Sequence, residues 1–358
     1  MKVVFSGGGT LGPVVPLLAL SQMIKEKYPE AEFVWIGTKL GPEKELIEKN
    51  NIEFISITSG KFRRYFSLLN LIDVVKIKLA FFESLFLLKK IKPDVLITSG
   101  GFVSVPVHWA GWFLRIPSWV HQQDIRPGLA NKLMAPLARV VTVTLGENLK
   151  RFNKKKVIWL GNFVRKEIKT EDKNKSLEMF GLKKELPVVF AMGGGTGSLK
   201  INQVIIEASN HLNDVCQILH LTGPNRDETM AQKAEKLLSN YHQYKFFTSE
   251  MAGAYEASDI VISRGGFGSI TELAHLSKTV IFIPKAGHQE DNIKYLEKNN
   301  ACLILDERIT DGNKLSAVIK ELLSDKNKRE MMGANLHKLV KIAKAEEVLE
   351  IFDRIVKK

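Results

Sequence analysis

The feature that most constrains this chain is a turn it makes twice. Residues 3–12 read VVFSGGGTLG and residues 188–197 read VVFAMGGGTG. In each case a short apolar run ends in three glycines and a threonine, and a helix-like pattern follows. A strand that turns on glycine into a helix is the opening unit of an open α/β sheet. Two such units about half a chain apart predict two α/β domains. Strand-like runs also alternate with amphipathic segments between them. Residues 32–37 (EFVWIG) precede a helix near 43–50, and residues 94–101 (DVLITSGG), 117–124 (PSWVHQQD) and 140–144 (VVTVT) end in polar loops. After residues 157–164 (VIWLGNFV) comes a charged run, RKEIKTEDKNKS, and then the pattern restarts. The alternation argues for parallel sheets covered by helices, with domains at 1–164 and 165–340 and a final helical segment at 341–358. A length of 358 residues fits two domains of ordinary size.

Composition narrows the setting. Hydrophobic residues are 45% and charged residues 25%, which is globular. Cys216 and Cys302 stand far apart and away from histidine clusters, which suggests a reducing compartment and no zinc site. No secretory apolar region follows Lys2, and the greasiest stretch, residues 79–88, is too short to span a bilayer and contains Glu83. A cytoplasmic protein is expected, with a membrane surface left open. The net charge of +13 is uneven: 23 Lys and Arg face 12 Asp and Glu up to residue 164, but only 29 face 27 beyond it. The first half therefore expects an anionic partner, whether nucleic acid, acidic lipid or a phosphorylated substrate. No nucleic-acid motif is present, and the aromatics form an apolar block instead of a basic stacking platform, so nucleic acid is not expected.

A strand, a glycine loop and a helix start make an anion site, because glycine lets the backbone approach and free N–H groups point at the ligand. The first loop does not match the dinucleotide fingerprint, and neither loop has the Gly-Lys-Ser/Thr ending of a P-loop. A third glycine turn lies in residues 263–292, SRGGFGSITELAHLSKTVIFIPKAGHQEDN. Arg264, Gly265 and Gly266 follow a strand, and Glu272 lies two turns into the next helix, where a carboxylate can take the hydroxyls of a ribose. Gln289 and Asn292 sit one helical turn apart on one face. Singly, Glu272 reads as a surface helix residue and the amides as helix caps.

Together these residues resemble the MurG glycosyltransferases. The resemblance spans nearly the whole chain through GGGTLGPVVPLLAL, TSGGFVSVP, HQQDIRPGLANK, GNFVR, GGGTGSLKIN, SRGGFGSITEL and HQEDN, in that order. It implies an α/β chain of GT-B fold, two Rossmann-like domains with an interdomain cleft, and residues 341–358 packing back on the first domain. It implies transfer of N-acetylglucosamine from UDP-N-acetylglucosamine to the 4-hydroxyl of an undecaprenyl-diphosphate-linked N-acetylmuramyl-pentapeptide, with inversion, in peptidoglycan synthesis. By family position the donor contacts are Arg165, Gly194, Gly195, Thr196, Gly197, Asn202, Arg264, Gly265, Gly266, Glu272, Gln289 and Asn292. Gly8, Gly9, Thr10, Gly12, Gly100 and Gly101 would receive the acceptor diphosphate. UDP-N-acetylglucosamine would be a substrate and no cofactor is expected. No Asp-x-Asp pair occurs, so no protein-held metal is expected either.

Three positions depart from the family. Pro13 stands where a histidine is usual, and reads as a first-turn helix proline that cannot titrate. HEQN becomes HQQD at residues 121–124, leaving Asp124 or His121 as candidate base; a core-pinned histidine and a loop-capping aspartate are the rival readings. Gly195 replaces a frequent serine. The segment from Lys61 to Lys92 mixes six aromatics with eight Lys and Arg. It suggests docking on the anionic cytoplasmic face of the membrane, carried by residues 62–71, with residues 79–88 facing the sheet. A catalytically silent sugar-nucleotide binder and a UDP-N-acetylglucosamine 2-epimerase-like enzyme are the alternatives.

Overall fold

The structure, a computed structural model, describes residues 1–60, 69–169, 172–195, 197–224, 229–247, 249–285 and 288–357; the side chains of residues 69–71 and 288 lie outside the description. The chain divides into two compact units. One comprises Met1–Arg165 together with Lys341–Lys358, and the other Lys166–Val340.

Unit 1 alternates strands and helices: β1 (Lys2–Ser6), α1 (Val15–Lys27), β2 (Glu32–Thr38), α2 (Glu43–Lys49), β3 (Glu53–Ile57) and α3 (Leu69–Ile91). It continues with β4 (Val95–Thr98), α4 (Ser104–Phe113), β5 (Ser118–Gln122), α5 (Leu129–Met134), β6 (Val140–Val143) and β7 (Val157–Trp159). The strands form one parallel sheet ordered β3-β2-β1-β4-β5-β6-β7.

Unit 2 begins with α6 (Lys173–Met179), β8 (Val188–Met192), α7 (Leu199–Ser209), β9 (Gln217–Leu221), α8 (Thr229–Leu237) and β10 (Tyr241–Tyr244). It proceeds through α9 (Met251–Ala257), β11 (Ile260–Ser263), α10 (Phe267–His275), β12 (Val280–Phe282), α11 (His288–Lys298) and β13 (Leu303–Ile304). Helices α12 (Gly312–Ser324) and α13 (Lys326–Leu339) complete it. Its parallel sheet is ordered β10-β9-β8-β11-β12-β13. The central strands β8, β9, β11 and β12 are fully buried, as in sheets covered by helices on both faces, and β8 and β11 read as nearly unbroken apolar runs.

Helix α14 (Ala345–Val356) returns to unit 1. Its stripe of Val348, Ile351, Phe352 and Ile355 joins the core formed by Leu17, Leu20, Ile24, Trp35 and Trp119. Tyr28 donates a 2.5 Å hydrogen bond to Asp353, and Arg139 donates to the Ile355 carbonyl at 3.0 Å. The bridge between Asn162 and Ile342 sets the entry to this segment.

Helix α3 overturns one expectation. Small or polar residues, Asp73, Ala80 and Ser84, together with Leu88, form its buried stripe, whereas Leu79, Phe82 and Phe86 are exposed, the last at 71%. Small side chains let α3 lie close on α4, and both oxygens of Glu83 pin it to Thr58 at 2.6 and 2.7 Å. The expectation thus fails only for Leu79, Phe82 and Phe86, which turn outward; Leu88 is buried and Phe81, Leu85 and Leu87 pack against the core that includes Val4, Ile36 and Leu96 of the sheet. The expected docking residues 62–71 lie outside the described residues, except for the helical backbone of 69–71.

Candidate active site

In each sheet the strand order reverses beside the first strand, β1 against β4 and β8 against β11. Ligands of open α/β sheets bind outside the carboxyl ends of the strands at such a point. The glycine turns fall on both sides of it: residues 7–12 and 100–101 in unit 1, residues 193–197 and 264–266 in unit 2.

In unit 1 the glycines serve the chain itself first. A side chain on Gly101 would meet the Gly8 backbone at 3.1 Å, so the two loops touch. Gly9 has φ +79° and lies under the Phe102 ring. Beneath Gly8 sits Glu43, fully buried, and a Cβ on Gly8 would come within 2.1 Å of its carboxylate. That carboxylate accepts from the Thr38 amide at 2.8 Å, the Thr38 hydroxyl at 2.5 Å and the Gly9 amide at 3.2 Å. The Gly9 N–H is thus already paired with an internal anion. Thr10 and Gly12 are exposed, and Gly100 has φ +118°. Helix α1 starts at Val15 with Pro16 in its first turn. Pro13 lies in the preceding turn instead, where its carbonyl accepts from the Ser99 hydroxyl at 2.7 Å.

The end of β5 separates the two candidate bases. His121 is fully buried, with Nε2 3.0 Å from Asn162 Oδ1 and Nδ1 2.9 Å from Thr142 Oγ1, which also accepts from Trp119. Burial, opposed by the Asn162 hydrogen bond, pushes its pKa down to about 4. Both ring nitrogens are spent inside the sheet, so His121 is a brace for this loop, and the expectation that it could serve as base is corrected. Asp124 is half-buried just beyond the strand, and its carbonyl accepts from Gln122 at 2.7 Å and Asn148 at 2.9 Å. Gln123 between them donates to the Gly12 carbonyl and to Ser99, each at 3.2 Å, which ties the Asp124 loop to the first glycine turn.

Unit 2 presents a different turn. Gly194, at φ +80°, has open space where a Cβ would stand, and Gly195 is exposed. The Gly197 amide closes the turn on the Gly194 carbonyl at 2.9 Å, and the Ser198 hydroxyl caps α7 through the Ile201 amide at 3.3 Å. Thr196 lies outside the described residues. Gly265 needs its φ of +78° and its bare Cα, since a Cβ would strike Ile293 at 2.2 Å. The Gln289 amide nitrogen stands 3.7 Å from the Cβ position of Gly266, bringing α11 to the start of α10. Asn292 is buried one turn further on. Glu272 is buried too, and its Oε2 accepts from Tyr255 at 3.0 Å; the same hydroxyl lies 3.7 Å from the sulfur of Met192, the last residue of β8. The carboxylate is thereby set near the second glycine turn. Arg264 pairs with Glu307. Arg165 is half-buried and is the last residue before the boundary, on the unit 1 side.

Asn202 corrects another expectation. Its Oδ1 lies 3.1 Å from His220 Nε2 and its Nδ2 donates to the Thr222 carbonyl at 2.9 Å, so the amide fastens α7 to β9 and is not turned to a ligand. Glu43, Gln123, Tyr255 and Glu307 were not anticipated. Nothing in the sequence separates Glu43 from the nearby Glu45; only the close approach at Gly8 and Gly41 marks it. Among the described residues no group of three or more His, Cys, Asp or Glu side chains is placed to hold a metal ion.

The comparisons agree with the two-domain fold. Residues 3–143 match the glycosyltransferase family 28 N-terminal domain and residues 188–349 the family 28 C-terminal domain. The protein is a glycosyltransferase of GT-B fold, with two Rossmann-like domains. It is 36% identical over 343 residues to the UDP-N-acetylglucosamine–N-acetylmuramyl-(pentapeptide) pyrophosphoryl-undecaprenol N-acetylglucosamine transferase of Borrelia hermsii, covering 94% of this chain and 92% of that one. A second transferase of the same name, from Bacillus anthracis, is 37% identical over 327 residues, covering 90% and 91%. The chain belongs to the MurG family. The crystal structure of MurG from Acinetobacter baumannii shares the fold at a TM-score of 0.76 and 21% identity, covering 100% and 99% of the two chains. UDP-N-acetylglucosamine 2-epimerase from Neisseria meningitidis, solved with UDP-N-acetylglucosamine, shares it at 0.64 and 13%, covering all of both chains.

Proposed function

We propose that the chain catalyses the reaction its relatives are named for, moving N-acetylglucosamine from UDP-N-acetylglucosamine to the lipid-linked muramyl-pentapeptide of peptidoglycan synthesis. The observation that carries this reading is the 36% identity over 94% of the chain, and the glycine turns beside the β8/β11 switch point suit a nucleotide diphosphate. The 2-epimerases share the fold at only 12–14% identity, so the transferase reading is preferred. UDP-N-acetylglucosamine is a substrate in this scheme and not a cofactor.

Unit 2 takes the donor. Glu272 accepts the ribose hydroxyls, and Gln289 and Asn292 meet the sugar; Arg165, the last residue of unit 1 before the boundary, is assigned to the uracil. The open turn at Gly194–Gly197, the α10 N-terminus behind Gly265 and Gly266, and Arg264 supply the positive field for the diphosphate. Unit 1 takes the acceptor diphosphate on the free side of its loops, at Gly8, Thr10, Gly12, Gly100 and Gly101. Asp124 accepts the proton of the muramyl 4-hydroxyl as that oxygen attacks the anomeric carbon. The glycosidic C–O bond to UDP breaks, and the departing β-phosphate oxygen carries the charge.

No helix among the described residues is long and apolar enough to cross a membrane. We assign peripheral docking on the cytoplasmic face to α3, where exposed Ile72, Val75, Leu79, Phe82 and Phe86 lie among exposed Lys76, Lys78, Lys89 and Lys90. Helix α4, packed on α3, exposes Trp112 and Phe113 at its end. Apolar area and lysines together suit an anionic bilayer surface.

The test is transfer of labelled N-acetylglucosamine from UDP to a short-chain lipid I analogue, comparing wild type with Glu272→Ala. Transfer by wild type and its loss in the variant are expected. Tight UDP-N-acetylglucosamine binding without any transfer by wild type would favour the silent binder. For docking, Phe82→Ser with Phe86→Ser is expected to abolish sedimentation with phosphatidylglycerol vesicles, and unchanged sedimentation refutes the assignment.

A further inference from the structure

Glu272 has a buried neighbour with no part in the scheme above. Tyr255 of α9 is completely inaccessible, its ring set edge-on to Phe190 of β8 at 5.7 Å and 66°. Its hydroxyl carries one proton and lies 3.0 Å from the Glu272 carboxylate and 3.7 Å from the Met192 sulfur. A carboxylate is much the stronger acceptor, so the proton goes to Glu272. A glutamate on a helix turns about three bonds. Two vicinal hydroxyls are recognised by a carboxylate only if its plane is held before the ligand arrives, because otherwise ordering it opposes binding. A phenol donating to Oε2 from a packed ring is such a hold. The ring is locked on β8, and the carboxylate is thereby referred to the strand that carries the second glycine turn.

We infer that Tyr255 is a positioning residue for the donor nucleotide: its hydroxyl fixes the Glu272 carboxylate for the ribose diol and so sets the preference for ribose over 2′-deoxyribose. This rests on Glu272 being the ribose contact. Tyr255 itself is too buried to touch the nucleotide, so its effect runs through Glu272. Loss of the hydroxyl removes this hold on Oε2 and leaves the ring packing intact.

The experiment measures dissociation constants of UDP and 2′-deoxy-UDP by calorimetry for wild type, Tyr255→Phe, Glu272→Gln and the double variant, with kcat measured at saturating donor. Wild type is expected to prefer UDP by about tenfold or more, since a site built for a hydroxyl rejects the ligand that lacks it. Tyr255→Phe is expected to cut that preference about fivefold, the scale of one hydrogen bond to a charged group, while kcat stays within about twofold. The double variant is expected to bind no worse than Glu272→Gln, because the two residues act as one unit. An undiminished preference in Tyr255→Phe overturns the inference. So does an equal loss for both nucleotides, which is the mark of general loosening of the fold. If wild type shows no preference and Glu272→Gln binds UDP normally, the ribose role of Glu272 falls first and takes the inference with it.

Discussion

The two glycine turns have nearly the same sequence, and their middle glycines, Gly8 and Gly194, have opposite surroundings. The first is filled from beneath by its own chain: Glu43 takes the Gly9 amide, Phe102 lies against Gly9, and Gly101 rests on Gly8. The second has only solvent where a Gly194 side chain would be. A glycine triplet can therefore be required by the chain's own packing or by a ligand, and the difference lies in what already occupies its N–H groups. Each unit also buries one strand histidine between an asparagine amide and a hydroxyl: His121 with Asn162 and Thr142, His220 with Asn202 and Tyr241. Those braces are alike where the turns are not.

The largest expected effect separates chemistry in unit 1 from binding in unit 2. Asp124→Asn should lower kcat by about 10²–10⁴-fold, the range for a lost general base, with UDP affinity unchanged by calorimetry. Full turnover in this variant would remove the base from the scheme. Gly8→Ala comes next. Its methyl must displace a buried carboxylate held by three donors, which should destabilise unit 1 by about 2–3 kcal/mol. All 5 tryptophans lie in unit 1, so tryptophan fluorescence during urea unfolding reads this unit by itself.

Gly194→Ala should behave in the reverse manner. It should cost about 1–2 kcal/mol for the left-handed backbone, leave the tryptophan transition in place, and weaken UDP binding about tenfold by crowding the phosphate. If Gly8→Ala and Gly194→Ala give the same pattern, the contrast between the turns is wrong. The smallest effect per step is the acid response of the shared braces, read over one pH unit. Burial lowers His121 to about 4 and His220 to about 3, below the ordinary 6.5. Above pH 6.5 both are neutral whether folded or unfolded. Below it only the unfolded chain takes up the proton, so each brace should subtract about 1.4 kcal/mol per pH unit down to its folded value. Urea titrations at pH 7, 6 and 5 check this, and His220→Gln should flatten the dependence in the far-ultraviolet signal while leaving the tryptophan signal unchanged.

The two-domain plan was legible because buried parallel strands are written as apolar runs and each domain opens on a glycine turn. The third glycine turn was legible as well, since Gly265 and Gly266 stand between β11 and α10 as the run after a buried strand predicts. The distinction between His121 and Asp124 was not. Both end the same strand, and only the side chains of β6 and of the segment after β7, Thr142 and Asn162, decide that the histidine is spent. Asn202 escaped for the same reason, its partner His220 lying 18 residues away on β9. The outward turn of Phe82 and Phe86 was hidden because α3 is apolar nearly all round, so no stripe in the sequence says which side meets α4.

The return of α14 to unit 1 has a consequence for how the protein is made. The core around Leu17 and Trp35 closes only with Val348, Ile351, Phe352 and Ile355, which are synthesised after the whole of unit 2. Unit 2 is continuous and can complete its core as it leaves the ribosome, as domains generally do. Unit 1 is begun first and finished second, and until its final helix arrives it is the part a chaperone would have most reason to hold.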